Sequence, residues 1–290
     1  MTLRERLKAW RRALHAAGWE VMSGEMTLVA AGCAFYATLA LFPAISTLIS
    51  LYGLAFNPKT IEPQLLYLRH FMPPEAYQLI AGRITDLVSG GKTGLGIGLV
   101  ISLTIALYSA ASGTKSLIYA MNVIHKKDET RGVIRFQVIS LGMTLIAIVG
   151  AILAIGVLVV LPLVFSFLGL GGVAQTLGLI LGFAVLIVFM AVALALFYRY
   201  GPSFRRPGRQ GKHHIAEGAI VAIALWLLVS YLFAVYVSDF AAYSRTYGPL
   251  ATIVGLMMWF YVTAYALLFG ALLNAGLDRE TTSEAVASAP

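Results

Sequence analysis

Six apolar runs, each long enough to cross a bilayer, divide this chain, and the segments between them are alternately rich and poor in positive charge. The runs cover about residues 28–56, 94–120, 137–168, 173–198, 216–238 and 248–275. A helix needs about 20 predominantly apolar residues to span a hydrocarbon core of about 30 Å. Backbone N–H and C=O groups cannot stay unpaired in lipid, so a spanning segment is a helix or part of a closed barrel. Barrel strands alternate polar and apolar residues. The run Val138–Leu168 shows no such alternation. The expected fold is therefore an all-α polytopic membrane protein with six transmembrane helices. Charged residues make up only 12% of the chain, against roughly 25% in soluble domains, too few to cover a water-facing surface.

The charge pattern orients the bundle. Sixteen of the 21 Lys and Arg fall on one side. They include Arg4, Arg6, Lys8, Arg11 and Arg12 before span 1, Lys115 to Arg135 around the loop after span 2, and Arg199 to Lys212 after span 4. The positive-inside rule puts that side, and both termini, in the cytoplasm. Topogenic charge that also meets anionic headgroups accounts for the net charge of +8. Membrane lipids are the expected partners, and nucleic acid is not.

Residues 1–27 read as a cytoplasmic interfacial amphipathic helix. Leu3, Leu7, Trp10 and Leu14 share one face, and Arg4, Lys8, Arg11 and Arg12 take the other side. The external segment 57–93 breaks at Asn57-Pro58, Pro73-Pro74 and Ser89-Gly90-Gly91. Two short amphipathic patterns between the breaks predict an external helical hairpin between spans 1 and 2. Residues 28–275 form the membrane domain, and 276–290 read as a disordered cytoplasmic tail. Gly94/Gly98, Gly178/Gly182 and Ala271/Ala275 have the spacing that lets helices approach closely. Pro43 in span 1 and Pro162 near the outer end of span 3 each remove a backbone donor and are candidate kinks.

The spans hold no buried carboxylate of the kind that couples ions or relays protons. No HExxH, P-loop or GxSxG pattern is present. Cys33 is the only cysteine and reads as an apolar packing residue. No catalytic residue, resident metal or cofactor is expected. What remains in the bundle is mildly polar and rich in tyrosine, a lining that suits an amphipathic substrate better than a bare ion.

Three stretches carry a resemblance. Span 1 contains Ala30-Ala-Gly-Cys-Ala-Phe-Tyr-Ala-Thr-Leu-Ala-Leu-Phe-Pro43. Span 2 ends Tyr108-Ser-Ala-Ala-Ser-Gly-Thr-Lys115, followed by Ala120-Met-Asn122. The last third reads Tyr198-Arg-Tyr-Gly-Pro202, Tyr243-Ser-Arg-Thr-Tyr-Gly-Pro-Leu250, Trp259-Phe-Tyr261 and Gly270-Ala-Leu-Leu-Asn-Ala275. In this order they resemble the BrkB/YihY family of bacterial inner-membrane proteins over nearly the whole chain. The resemblance implies six spans with both termini inside. It also implies a link to envelope lipid or lipopolysaccharide traffic. The family's former ribonuclease BN label is widely regarded as mistaken. Leu272 stands where the family commonly has glutamate.

These readings lead to an expected translocator of an amphipathic envelope substrate, such as a phospholipid or a lipid-linked precursor. Envelope-transport proteins are possible partners, and a non-transporting envelope scaffold is the alternative. The candidate substrate or headgroup contacts are Tyr36, Lys115, Asn122, Arg199, Tyr200, Tyr247, Trp259 and Asn274.

Overall fold

The computed structural model describes residues 3–55, 91–169, 172–203, 215–238 and 249–287. The elements are α1 (Leu3–Val21), α2 (Gly24–Ala55), α3 (Gly91–Ile124), α4 (Val133–Ile155), a π-helical turn (Gly156–Val160), α5 (Leu161–Phe167), α6 (Val173–Tyr200), α7 (Ile215–Ser238) and α8 (Pro249–Ala287). No strand occurs among the described residues. Six helical stretches are long and apolar enough to cross a membrane: Gly24–Thr47, Gly96–Ile124, Val133–Phe165, Val173–Tyr200, Ile215–Tyr236 and Ile253–Thr281. The chain is thus an all-α polytopic protein. The hairpin expected over 57–93 lies outside the described residues, except that 91–93 open α3.

The six spans close into a ring. Packing runs from α2 to α3, α4, α6, α7 and α8, and α8 returns to α2. Alternating helix directions gather the starts of α2, α4 and α7 with the ends of α3, α6 and α8 at one end, here called the basic end. The tightest core lies there, with Met26, Ile118, Met121, Ile124, Leu268 and Leu273 fully buried.

The N-terminal helix differs from its expected seating. Its buried face is Ala9, Ala13, Ala17 and Val21, and α1 packs on α8. A Cβ on Gly276 would meet Ala13 at 3.3 Å, so small residues let the two helices approach closely. Leu14 remains 37% exposed and Trp10 is half-buried. Protein contact, rather than lipid alone, therefore holds this helix. The chain breaks at Met22-Ser23, and the Ser23 hydroxyl accepts the Met26 N–H at 3.4 Å as α2 begins.

The C-terminal segment also differs. Residues 276–287, expected to be disordered, continue α8. Leu277 is buried, Arg279 donates to the Ile124 carbonyl at 2.7 Å, and Glu280 pairs with Arg12 at 2.7 Å. These contacts extend the helix beyond the apolar run that marked its expected end.

The two prolines have different settings. Pro43 lies inside α2, which continues through it. Pro162 follows the wide π-helical turn, where the Leu161 N–H reaches back to the Gly156 carbonyl. That register change relieves the ring's clash with the preceding turn. The Gly178/Gly182 pair serves packing within the chain. Phe165 of α5 covers Gly178, and Val157 of the π turn covers Gly182. Gly150 of α4 in turn receives the ring of Phe189 from α6.

Candidate functional site

A cavity of about 510 Å³ opens between α3, α4, α6 and α7, with Leu267 of α8 at its margin. Small residues of α4 (Ala147, Gly150, Ala151, Ala154) leave this space, and Phe183, Phe189 and Trp226 wall it. Small-molecule sites occupy roughly 300–1,000 Å³. Among the described residues, two hydroxyl side chains, Thr114 and Ser230, join the lining. Thr114 is already bonded to Thr144 at 2.8 Å. The Ser230 oxygen is buried without a hydrogen-bond partner among the described residues. Among the described residues the lining contains no carboxylate or other ionised group, so it fits hydrocarbon far better than an ion.

The basic end is a dense polar knot. Asn122, at the end of α3, accepts the Ser203 N–H at 2.7 Å and donates to Glu129 at 2.9 Å. Arg131 donates to both Glu129 oxygens, at 2.7 and 2.6 Å, and to the carbonyls of Tyr200 and Gly201 at 3.1 and 2.9 Å. Thr130 bonds the Ser203 hydroxyl. The loop between α3 and α4 is thereby fastened to the end of α6, whose last carbonyls gain a cation. The Arg131 hydrogen bond is the main reason the Glu129 carboxyl is held down at about 2. Burial, and then the charges of Arg279 and Lys127, push the His125 imidazole down to about 4.

A profile of the family described as Virulence factor BrkB matches residues 20–290. This chain belongs to the BrkB family. Among its relatives, the ribonuclease-like protein YfkH of Bacillus subtilis (strain 168) is 27% identical, covering 85% of this chain and 88% of the relative. A UPF0761 membrane protein of Aeromonas salmonicida (strain A449) is 28% identical, covering 90% and 87% respectively. Another from Haemophilus influenzae (strain 86-028NP) is 25% identical, covering 90% and 93%. No solved structure is significantly similar. The resemblance read from the motifs and the family match agree.

The residues that carry the BrkB resemblance fall at several places rather than one. In α8, Asn274 accepts the Gly218 N–H at 2.8 Å, while its amide nitrogen is buried without a partner among the described residues. Gly218 and Gly270 meet backbone to backbone, and the Tyr198 hydroxyl donates to the Leu267 carbonyl at 2.8 Å. Leu272, where the family commonly has glutamate, is 3% exposed in the core.

Among the other candidate contacts, Tyr36 lies against Gly113 where α2 crosses α3. Trp259 meets Trp226 edge-on at 6.4 Å. Arg199 is exposed and stacks over Tyr200 at 5.5 Å. Lys115 lies over the Tyr108 ring at 5.9 Å. Tyr247 lies outside the described residues. Asn122 and Tyr200 share the basic knot, whereas Lys115, Trp259 and Asn274 occupy separate positions.

Sequence reasoning missed the cavity lining and the roles of Glu129, Arg131 and Ser203. The lining residues carry no polar mark. Glu129-Thr130-Arg131 between two apolar runs was the available signal for the knot.

Proposed function

We propose that this BrkB-family protein moves an amphipathic envelope lipid, a phospholipid or a lipid-linked precursor, across a bacterial inner membrane. In this reading the basic end faces the cytoplasm, as the sixteen-to-five division of Lys and Arg favours. The protein acts as a translocator and catalyses no covalent step. The apolar cavity carries the reading, because its size and lining suit an acyl chain. Charged side chains at the basic end provide the complementary surface for a headgroup.

The ribonuclease-like name belongs to the Bacillus subtilis relative and is not carried over to this chain.

The test is transbilayer movement of fluorescent phospholipid in proteoliposomes. Movement well above that in protein-free vesicles is the expected result. No movement, together with a stable crosslinked envelope partner, would put the scaffold reading in its place.

A further inference from the structure

Lys115 lies well inside a span with no ion-pair partner among the described residues. Lys115 is placed by sequence five residues before the end of span 2, but α3 continues to Ile124. At about 1.5 Å per residue its Cα lies roughly 14 Å from the end of the helix. Helical side chains lean towards the helix N-terminus, and the Lys115 ammonium does so, lying over the Tyr108 ring at 5.9 Å. No carboxylate among the described residues lies within ion-pair distance of it. Ionisable groups in spans are characteristically paired or functional, and a single tyrosine face compensates the charge only modestly.

The surroundings narrow the ligand. Tyr108, Ser112, Lys115 and Tyr119 recur at helical spacing along one stripe of α3. Tyr108 and Tyr119 are 69% and 55% exposed. Thr114 and Leu117 face the cavity on the other side of the helix, so this stripe looks outwards. Tyr119 donates to Glu25, at the start of α2, at 3.3 Å. Glu25 is exposed and has no cation within ion-pair distance among the described residues. This stripe of α3 and the start of α2 thus present a cation deeper in the span and an anion nearer the basic end, the anion accepting from Tyr119, with no ion pair between the two charges.

We propose that this outward face binds an amine-bearing zwitterionic phospholipid, with the phosphate on Lys115 and the ammonium on Glu25. The order of charges matches a headgroup whose amine lies further from the bilayer centre than its phosphate. An N–H-bearing ammonium can hydrogen-bond the Glu25 carboxylate, whereas a quaternary ammonium cannot. An anionic headgroup without an amine satisfies Lys115 but leaves Glu25 without a counter-charge. The site needs only a membrane-embedded chain and stands whether or not the protein moves lipid.

The test is an equilibrium competition on detergent-purified full-length protein. Bound phosphatidylethanolamine, phosphatidylglycerol and phosphatidylcholine of identical acyl chains are measured by native mass spectrometry. The wild type should prefer phosphatidylethanolamine to phosphatidylcholine by about tenfold, the size of one charge-assisted hydrogen bond. Glu25→Gln should bring that ratio near one and raise the relative binding of phosphatidylglycerol. Lys115→Gln should weaken all three lipids, and Lys115→Arg should retain the preference. Glu25 is exposed at a helix start, so its variant carries the test even if Lys115→Gln does not fold. Equal binding of phosphatidylethanolamine and phosphatidylcholine by the wild type would overturn the proposal. So would a wild-type preference for phosphatidylglycerol, or an unchanged ratio in Glu25→Gln.

Discussion

The side-chain oxygen of Asn274 receives the backbone N–H of Gly218 at 2.8 Å, so one helix of the bundle caps the first turn of another. Asn274 thereby supplies an acceptor from α8 to an N–H in the first turn of α7. The contact requires glycine at 218, because a Cβ there would collide with Asn274 and with the Gly270 carbonyl.

Gly218→Ala should therefore destabilise the protein by about 1–3 kcal/mol, the usual cost of overpacking. Asn274→Ala should cost about 1 kcal/mol by removing this buried interhelical hydrogen bond. Gly142→Ala is the control, since a Cβ there meets nothing within 4 Å. Thermal unfolding in detergent checks the order, with the control at or slightly above the wild type.

Acid should loosen the basic end in two stages. The folded His125 value, about 4, lies below its ordinary 6.5. Its neutral form is therefore favoured by the fold, and the associated stability is lost as pH falls from about 6.5 through 4. The folded Glu129 value, about 2, lies below its ordinary 4.5, so its contribution is lost between about 4.5 and 2. Thermal scans across this range should fall in both windows, and Arg131→Ala should flatten the lower one.

Arg131→Ala should itself cost about 2–3 kcal/mol at neutral pH. It removes hydrogen bonds from a charged side chain that is only 7% exposed, including those to the Tyr200 and Gly201 carbonyls. Limited proteolysis between α3 and α4 should become faster in that variant, because the loop loses its fastening to α6.

Arg279→Ala and Arg12→Ala should differ. Arg279 caps the end of α3 through the Ile124 carbonyl, worth about 1 kcal/mol. Arg12 pairs with Glu280, but its side chain is 60% exposed, and such surface pairs contribute about 0–1 kcal/mol, screened by salt. Unfolding at low and high salt separates the two, with Arg279→Ala the more damaging at both.

The spans were legible because each is a continuous apolar run whose length matches a bilayer. The family was legible because its motifs recur in order along the chain. The cavity was not, since its walls combine residues from several helices and none is chemically distinctive. Asn122 shows a different limit. In the sequence it is an amide near a span end, available to a substrate; in the fold its oxygen holds Ser203 and its nitrogen holds Glu129. The Gly178/Gly182 spacing announced close packing, but only the fold reveals Phe165 and Val157 as the side chains that fill it. For α1, the Leu and Trp residues drew attention to one flank, while the less conspicuous Ala9, Ala13 and Ala17 make the protein contact.

The most direct test of the account is phospholipid movement in proteoliposomes by wild type and by Ala147→Phe, which places a ring in the cavity. Both proteins must first show the same thermal stability and vesicle insertion. The account predicts rapid movement with the wild type and at least a tenfold slower rate with Ala147→Phe. Equal rates for the two proteins would contradict a path through the cavity, and a wild type no faster than protein-free vesicles would contradict translocation itself.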